Sequence, residues 1–292
     1  MTAELVGVPA PATAAPSLLE KAARVLAAFD GPEPRLSLTE VIRRSGLPRS
    51  SAHRILDQLV QLRWLDREGR DYRMGMRMLE LGALAAHHNR LRQAALPRLH
   101  ALHESTGHLV HLYVLDGAEI VCLERIGGSA DTAVPSRVGG RMPAHSTAAG
   151  KALLAFGDPG VVESVLAARL RAHTPRTVVQ PAQLRSRLAA VRDRGVAFDE
   201  EETFRGVSCV AAPLRGAGRA IAAVSVSGRG AHRELERLAP AVRACARAVW
   251  QDLFGPTRPP RRPTPTETLP APDMSEQEMD TMMGWLWTSE WM

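Results

Sequence analysis

Residues 37–73 contain two short helical segments joined by a tight turn, and this pattern constrains the fold more than any other feature. Ser37 and Glu40 form a capping-box pattern, which predicts that a helix begins directly after Ser37. Gly46 can adopt the left-handed conformation that ends a helix, and Pro48 has a φ suited to the first position of a second helix. The sequence therefore predicts a helix-turn-helix.

The second helix of this pair is amphipathic. Its apolar residues recur at i, i+3, i+4 and i+7 and are expected to form a buried stripe: Ala52, Ile55, Leu56 and Leu59. The opposite face is polar, and the N-terminal residues of such a recognition helix are those that reach base edges and phosphates. The residues of this helix predicted to contact DNA are Arg49, Ser50, Ser51, His53 and Arg54.

Two short extended runs follow the helix pair, at residues 64–66 and 71–74, and they are typical of a two-stranded wing. Arginines are frequent here, which suits contacts with backbone phosphates, and Arg70 in the turn is predicted to make one. With an amphipathic helix from Ser17, the chain predicts a winged helix-turn-helix over residues 17–75. A helical hairpin without a DNA-binding role is the alternative interpretation.

The chain has 292 residues and a formal net charge of +6, which allows about two domains and permits nucleic-acid binding without requiring it. Its cysteines are too few and too scattered for a disulfide framework, which indicates a reducing compartment. No apolar run is long enough to span a membrane. Residues 1–16 lack the features of a secretory signal, so we expect a disordered leader and a cytoplasmic location.

Helical spacing continues over residues 76–106, where Pro97 is expected to kink or restart the second of two linker helices. The leucines, methionines and alanines of this stretch suit a dimer interface, although ordinary packing against the same chain would give the same pattern. The sequence therefore leaves both interpretations open.

From residue 107 the hydrophobic period changes to two, which is typical of strands. Strands are expected at residues 108–115, 119–126, 207–214 and 220–227. Helices are expected near residues 147–156, 161–169, 182–194 and 234–254. Antiparallel strands with segregated helices predict an α+β domain over residues 107–254.

Four sequence motifs then resemble those of the IclR family of transcriptional regulators. They are GLPRSSAHRIL at 46–56, GGRMPAHSTAAGKALLA at 139–155, RGVAFDEEETFRGVSCVAAPL at 194–214 and AAVSVSG at 222–228. The resemblance covers residues 17–254. It implies an N-terminal winged helix-turn-helix that binds double-stranded operator DNA, a linker helix, and a C-terminal effector-binding domain whose antiparallel sheet is flanked by helices. It also implies assembly as a homodimer or a dimer of dimers.

The second motif has a physical interpretation of its own. Small residues follow Thr147, so a ligand can approach the first turn of the predicted helix, whose unpaired amides and dipole favour an anion. By resemblance to the family, a small organic acid binds in a pocket lined by Met142, Ala148, Ala149, Asp199, Val207, Cys209, Ser225 and Ser227. Many relatives have glycine where this chain has Ala148, so the pocket is expected to differ in shape there. No cofactor or metal is implied.

Three alternatives accompany this interpretation. The second domain could serve only to oligomerise a DNA-binding protein. Cys209, His145 and Asp199 could instead be the nucleophile, base and orienting acid of an acyl-transfer enzyme, although no signature of such enzymes surrounds the cysteine. Four histidines also approach metal-ligand spacing, at positions that the expected helix-to-strand change should separate: His100, His103, His108 and His111.

The C-terminal part of the chain lies outside the resemblance. Residues 255–273 are rich in proline and are expected to form an extended spacer. Residues 274–292 are rich in methionine and tryptophan at helical spacing, which is typical of a short helix that binds a groove on a protein partner. Folding back on the same chain, or disorder, is the alternative.

Overall fold

A computed structural model describes residues 16–31, 33–127, 134–229 and 232–255 of the chain. The chain divides into two units, Met1–Phe254 and Gly255–Met292. The predicted leader, the proline-rich spacer and the Met/Trp-rich tail lie outside the described residues, apart from Pro16 and Gly255. The predictions for these segments stay predictions.

The N-terminal part of the first unit contains three helices and a small antiparallel sheet of order β1-β3-β2. The helices are α1 (Leu18–Ala27), α2 (Leu38–Ser45) and α3 (Arg49–Gln61), and the strands are β1 (Leu36–Ser37), β2 (Leu65–Glu68) and β3 (Asp71–Met74). The predicted buried stripe of α3 is confirmed. It packs against Val25 of α1, Val41 of α2 and Tyr72 of the wing.

The turn between α2 and α3 follows the predicted chemistry with two differences. Gly46 adopts a left-handed φ of 68°, as expected. The Ser37 hydroxyl accepts a hydrogen bond from the Glu40 amide at 3.3 Å, but the Glu40 carboxylate binds the arginines that follow it rather than returning to the cap. Pro48 is the N-cap of α3, so this helix begins one residue later than predicted.

Two helices connect the winged helix to the larger sheet, α4 (Met76–His87) and α5 (Arg90–Thr106). Of the two outcomes predicted for Pro97, a restart was wrong, because α5 continues through this residue, and a kink stays a prediction. Arg98 anchors α5 to the C-terminal helix, since its Nε lies 2.8 Å from an Asp252 carboxylate oxygen. In contrast, α4 has no buried residue.

The larger part is built on a six-stranded antiparallel sheet of order β6-β5-β4-β9-β8-β7. Its strands are β4 (Leu109–Asp116), β5 (Glu119–Ile126), β6 (Arg141–Pro143), β7 (Ala197–Glu200), β8 (Val207–Leu214) and β9 (Ala222–Arg229). The four long strands match the predicted ones closely. The two short edge strands, β6 and β7, were not predicted.

Helices cover both faces of this sheet, which confirms the predicted α+β class. One face packs against α6 (Ala148–Ala155), α7 (Pro159–Ala167) and α8 (Pro181–Arg194). The other packs against α5 and the long closing helix α9 (His232–Phe254). None of the helices in the described ranges is both long enough and apolar enough to cross a bilayer.

Candidate functional site

A single cavity lies between the start of α6 and the adjacent face of the sheet. All eight residues that the sequence predicted for the effector pocket line it, although they come from five different elements: Met142, Ala148, Ala149, Asp199, Val207, Cys209, Ser225 and Ser227. The antiparallel pairing explains this, because Cys209 of β8 lies opposite Asp199 of β7 on one side and Ser227 of β9 on the other.

The N-terminus of α6 forms one wall of the cavity. The Thr147 hydroxyl caps the helix by accepting a hydrogen bond from the Gly150 amide at 3.1 Å. Ala148 and Ala149 occupy the first two helical positions, whose amides have no acceptor within a helix. Gly150 is required because a Cβ there would overlap the carbonyl oxygen of Ala144. The wall therefore presents backbone donors and a positive dipole end.

Asp199 is the acidic group of the cavity, and only 3% of its surface is exposed. Burial raises the pKa of its carboxyl group to about 6, although nearby Lys151 and a backbone hydrogen bond oppose this rise. The hydrogen bond comes from the Glu202 amide, which donates to Asp199 Oδ1 at 2.6 Å. Asp199 thus changes its charge close to neutral pH.

The geometry of Cys209 does not match the acyl-transfer arrangement. Its Sγ lies 3.1 Å from Ser227 Oγ, and desolvation by the surrounding residues raises the pKa of the thiol well above its usual range. The His145 Nε2 lies 3.0 Å from the Arg171 carbonyl oxygen, and desolvation lowers the pKa of this imidazole. The thiol and the imidazole therefore have different partners, and neither is activated by the other.

Six further residues line the cavity that sequence reasoning did not assign: Tyr113, Ile120, Val134, Thr147, Thr203 and Phe204. Thr147, Thr203 and Phe204 lie within the family motifs quoted above, whereas the other three lie outside them. The space open to the centre of a water molecule is about 30 Å³, which holds about two waters. The cavity is therefore too small, in this structure, to hold an organic acid.

A buried ion pair lies behind the polar wall. The Lys151 ammonium binds Glu202 Oε1, and 2% of the lysine side chain and 9% of the glutamate side chain are exposed. In the described part of the chain, Glu202 Oε2 has no hydrogen-bond partner. Because the Glu202 amide also holds Asp199, the pair supports the segment that forms this wall.

The predicted DNA-contacting residues form a second surface, on the face of α3 opposite its buried stripe. Four of its five residues are exposed, and Ser51 is half-buried. His53 Nδ1 lies 2.9 Å from an Asp57 carboxylate oxygen. In the wing, Arg70 is exposed in the turn, whereas Arg73 forms ion pairs with two carboxylates of β2. The wing arginines are therefore not equivalent.

Three of the four histidines with metal-like spacing have separate hydrogen-bond partners, and the fourth, His100, is exposed on α5. His103 Nδ1 lies 2.7 Å from the His108 carbonyl oxygen, and His108 Nδ1 lies 2.7 Å from that of Thr106. His111 is buried in β4 with its Nε2 2.8 Å from Ser136 Oγ. Across the residues that the structure describes, no group of three or more His, Cys, Asp or Glu side chains is arranged to hold a metal ion.

Comparison with known proteins places this architecture in a family. The model of the IclR helix-turn-helix domain matches residues 18–69, and the model of the bacterial transcriptional regulator IclR C-terminal domain matches residues 83–251. The chain belongs to the IclR family. The resemblance predicted from the four motifs is therefore confirmed, and this IclR-family regulator combines a helix-turn-helix domain with an effector-binding domain.

Its relatives include named regulators. The regulator is 36% identical over 244 residues to the glycerol operon regulatory protein of Streptomyces coelicolor, covering 80% of this chain and 95% of the relative. It is 35% identical over 213 residues to the HTH-type transcriptional regulator XynR of Escherichia coli, covering 72% and 84%. Among solved structures, an IclR homolog from Microbacterium hydrocarbonoxydans complexed with 4-hydroxybenzoate superposes with a TM-score of 0.73 and 32% identity, covering 81% of this chain and 99% of that chain.

Proposed function

We propose that this IclR-family regulator binds operator DNA through α3 and the wing, and that a small organic acid in the cavity controls this binding. The observation that carries the proposal is the composition of the cavity. The first two residues of α6, Ala148 and Ala149, line the same cavity as several apolar side chains and the serines at 225 and 227. A site that serves only oligomerisation would not require a cavity with converging polar groups.

The arrangement favours a carboxylate that also carries a hydroxyl or keto oxygen. The carboxylate accepts hydrogen bonds from the first turn of α6, where the helix dipole favours negative charge. The second oxygen function then reaches Ser225, Ser227 or Asp199 on the facing wall. The 4-hydroxybenzoate bound by the Microbacterium relative has both groups, which supports this class of ligand. The cavity must enlarge to admit such a ring.

The test measures the thermodynamic linkage between effector binding and operator binding. A panel of hydroxy, keto and aromatic acids is first screened for ligands that raise the unfolding temperature. Operator fragments are selected from random double-stranded DNA. The best acid is then titrated calorimetrically with and without operator. We expect its affinity to change by the same factor by which the acid changes operator affinity, a coupling of typically ~1–3 kcal/mol. Equal affinities in the two titrations would contradict control of DNA binding by the cavity.

Asp199 makes effector binding depend on pH. Above the raised pKa of about 6 its carboxylate repels a bound carboxylate, and below it the neutral group can donate a hydrogen bond. We expect the affinity for 4-hydroxybenzoate to rise about tenfold, or ~1.4 kcal/mol, as pH falls from 8 to 5.5. Calorimetry at both pH values measures this change. In Asp199→Asn, which keeps the acceptor for the Glu202 amide, the pH dependence should disappear.

A route from the cavity to the winged helix runs through the segment before β6. Val134 lines the cavity, and Arg137 forms an ion pair with Asp30, which follows α1. More than half of each charged side chain is exposed, so this contact contributes at most about 1 kcal/mol. It can bias the position of the winged helix, but it is too weak to carry the whole coupling.

We also propose that α4 pairs with a second copy of the chain. Met76, Leu79 and Leu84 of this helix are more than half exposed, which is costly for apolar side chains in a monomer. We expect Leu79→Glu to shift the protein from dimer towards monomer, because burying a carboxylate in an apolar interface is unfavourable. Light scattering coupled to gel filtration measures the change. The matched substitution Leu19→Glu, at an exposed leucine of α1, should leave the mass unchanged.

A further inference from the structure

A second cleft lies between the C-terminal end of α8, the end of β8 and the middle of α9. Its volume is about 370 Å³. One carboxylate, that of Asp193, lines it together with five arginines: Arg192, Arg194, Arg215, Arg243 and Arg247. None of the residues that line this cleft also lines the effector cavity. The cleft is therefore a separate and strongly basic concave surface.

The five arginines outnumber the one carboxylate of the cleft, that of Asp193. Within the described ranges, none of the five forms an ion pair, whereas Arg185 of α8 pairs with Glu163 and Arg98 of α5 pairs with Asp252. Four of the five are exposed, so water and salt screen much of their mutual repulsion, but the excess of positive charge still attracts a multivalent anion.

Three of the arginines are nevertheless held in place by uncharged groups. Arg192 Nε donates to the Ala155 carbonyl oxygen at 2.9 Å, and Arg243 Nη1 donates to that of Arg194 at 3.1 Å. The Arg215 guanidinium lies 3.9 Å from the centre of the Phe156 ring. These contacts orient the guanidinium groups without cancelling their charge. The remaining N–H donors of each guanidinium group are therefore preorganised for an anion.

We propose that this cleft binds a small ligand that carries two or more phosphate groups, such as a nucleoside polyphosphate. Guanidinium groups bind phosphate oxygens in pairs, and five of them exceed what a single carboxylate or phosphate can use. The concave shape and volume suit a small molecule rather than the extended backbone of a duplex. A ligand here would also contact Arg192, which holds the last residue of α6, the helix whose first turn lines the effector cavity.

The test compares two double variants with the same change in net charge. Arg194→Gln with Arg247→Gln removes one arginine of the cleft from α8 and one from α9, and no described side-chain hydrogen bond is lost. Arg185→Gln with Arg237→Gln removes one exposed arginine outside the cleft from each of the same helices. Tripolyphosphate and ATP are titrated calorimetrically into the full chain and both variants at one ionic strength, without divalent cations.

We expect both probes to bind the wild-type chain. The cleft variant should bind them about tenfold more weakly or worse, because charge-assisted hydrogen bonds to phosphate are lost, and the control variant should bind like wild type. Thermal unfolding verifies that both variants fold. The proposal is overturned by absence of binding to the wild-type chain, by equal losses in the two variants, or by equal affinities for tripolyphosphate and inorganic phosphate. Tighter binding of a single-stranded oligonucleotide, lost in the cleft variant alone, would overturn the small-ligand assignment.

Discussion

Replacing Lys151 by methionine is expected to lower the free energy of unfolding by about 3–5 kcal/mol. Methionine fills nearly the same space, but the Glu202 carboxylate then stays buried without its counter-charge. Glu202 Oε2 has no hydrogen-bond partner among the described residues, so little else there compensates the lost ammonium. Urea denaturation followed by circular dichroism measures the change. The slope of the unfolding free energy against urea concentration should be the same as in the wild type.

A second variant separates the lost charge pair from lost packing. Lys151→Met combined with Glu202→Leu replaces both charges by apolar groups, and this exchange is often neutral or stabilising for buried pairs. We expect the double variant to recover most of the stability that the single variant loses. A single variant within about 1 kcal/mol of wild type would show instead that water reaches the Glu202 carboxylate.

Removing both Arg49 and Arg54 is expected to produce the largest loss of operator affinity. Each is exposed on the face of α3 opposite the buried stripe, and neither is paired with a described carboxylate. A base-contacting arginine contributes ~1–3 kcal/mol, so the two together should cost about 2–6 kcal/mol if their effects add. Fluorescence anisotropy with the selected operator measures the loss. Arg185→Ala combined with Arg237→Ala, two exposed arginines outside the helix-turn-helix, provides the control for the same change in charge.

The single variants distinguish the two kinds of DNA contact. Removing an arginine that contacts a base should relax the sequence preference at one position of the operator. Removing an arginine that binds a phosphate should weaken binding to all sequences alike. It should also reduce the slope of log affinity against log salt concentration by about one. Both double and single variants should unfold at the wild-type temperature, because no core residue changes. Wild-type affinity in the double variant would place the recognition surface elsewhere.

Sequence reasoning succeeded where local chemistry determines the structure. The cap at Ser37, the left-handed Gly46 and the stripe of α3 depend on residues within about seven positions of each other. The four long strands were predictable because each is an apolar-rich run of eight residues, although only β5 alternates strictly between buried and half-buried positions. The short strands β6 and β7 were missed, because they have three and four residues and are defined by their pairing with β5 and β8.

The candidate sites also differ in how far local sequence predicts them. The effector residues could be assigned only because family motifs contain them. Tyr113 lies outside every motif, whereas Phe204 was missed although the third motif contains it, because nothing in that run distinguishes the residues that line the cavity from their neighbours. The ion pair between Lys151 and Glu202 joins residues 51 positions apart, and a lysine in the first turns of a helix ordinarily indicates a solvated position. The arginine cleft likewise brings together three segments that are separate in sequence.

The small volume of the effector cavity has a kinetic consequence for the proposed effector. A space for about two waters cannot hold an organic acid, so an acid binds here only while the cavity is enlarged. The observed association rate is then the intrinsic rate multiplied by the fraction of time that the cavity is enlarged, and the apparent affinity is reduced by the same fraction. Once the cavity contracts around the acid, the same barrier delays escape. The regulator would therefore respond to the average concentration of its effector over many opening events rather than to brief changes.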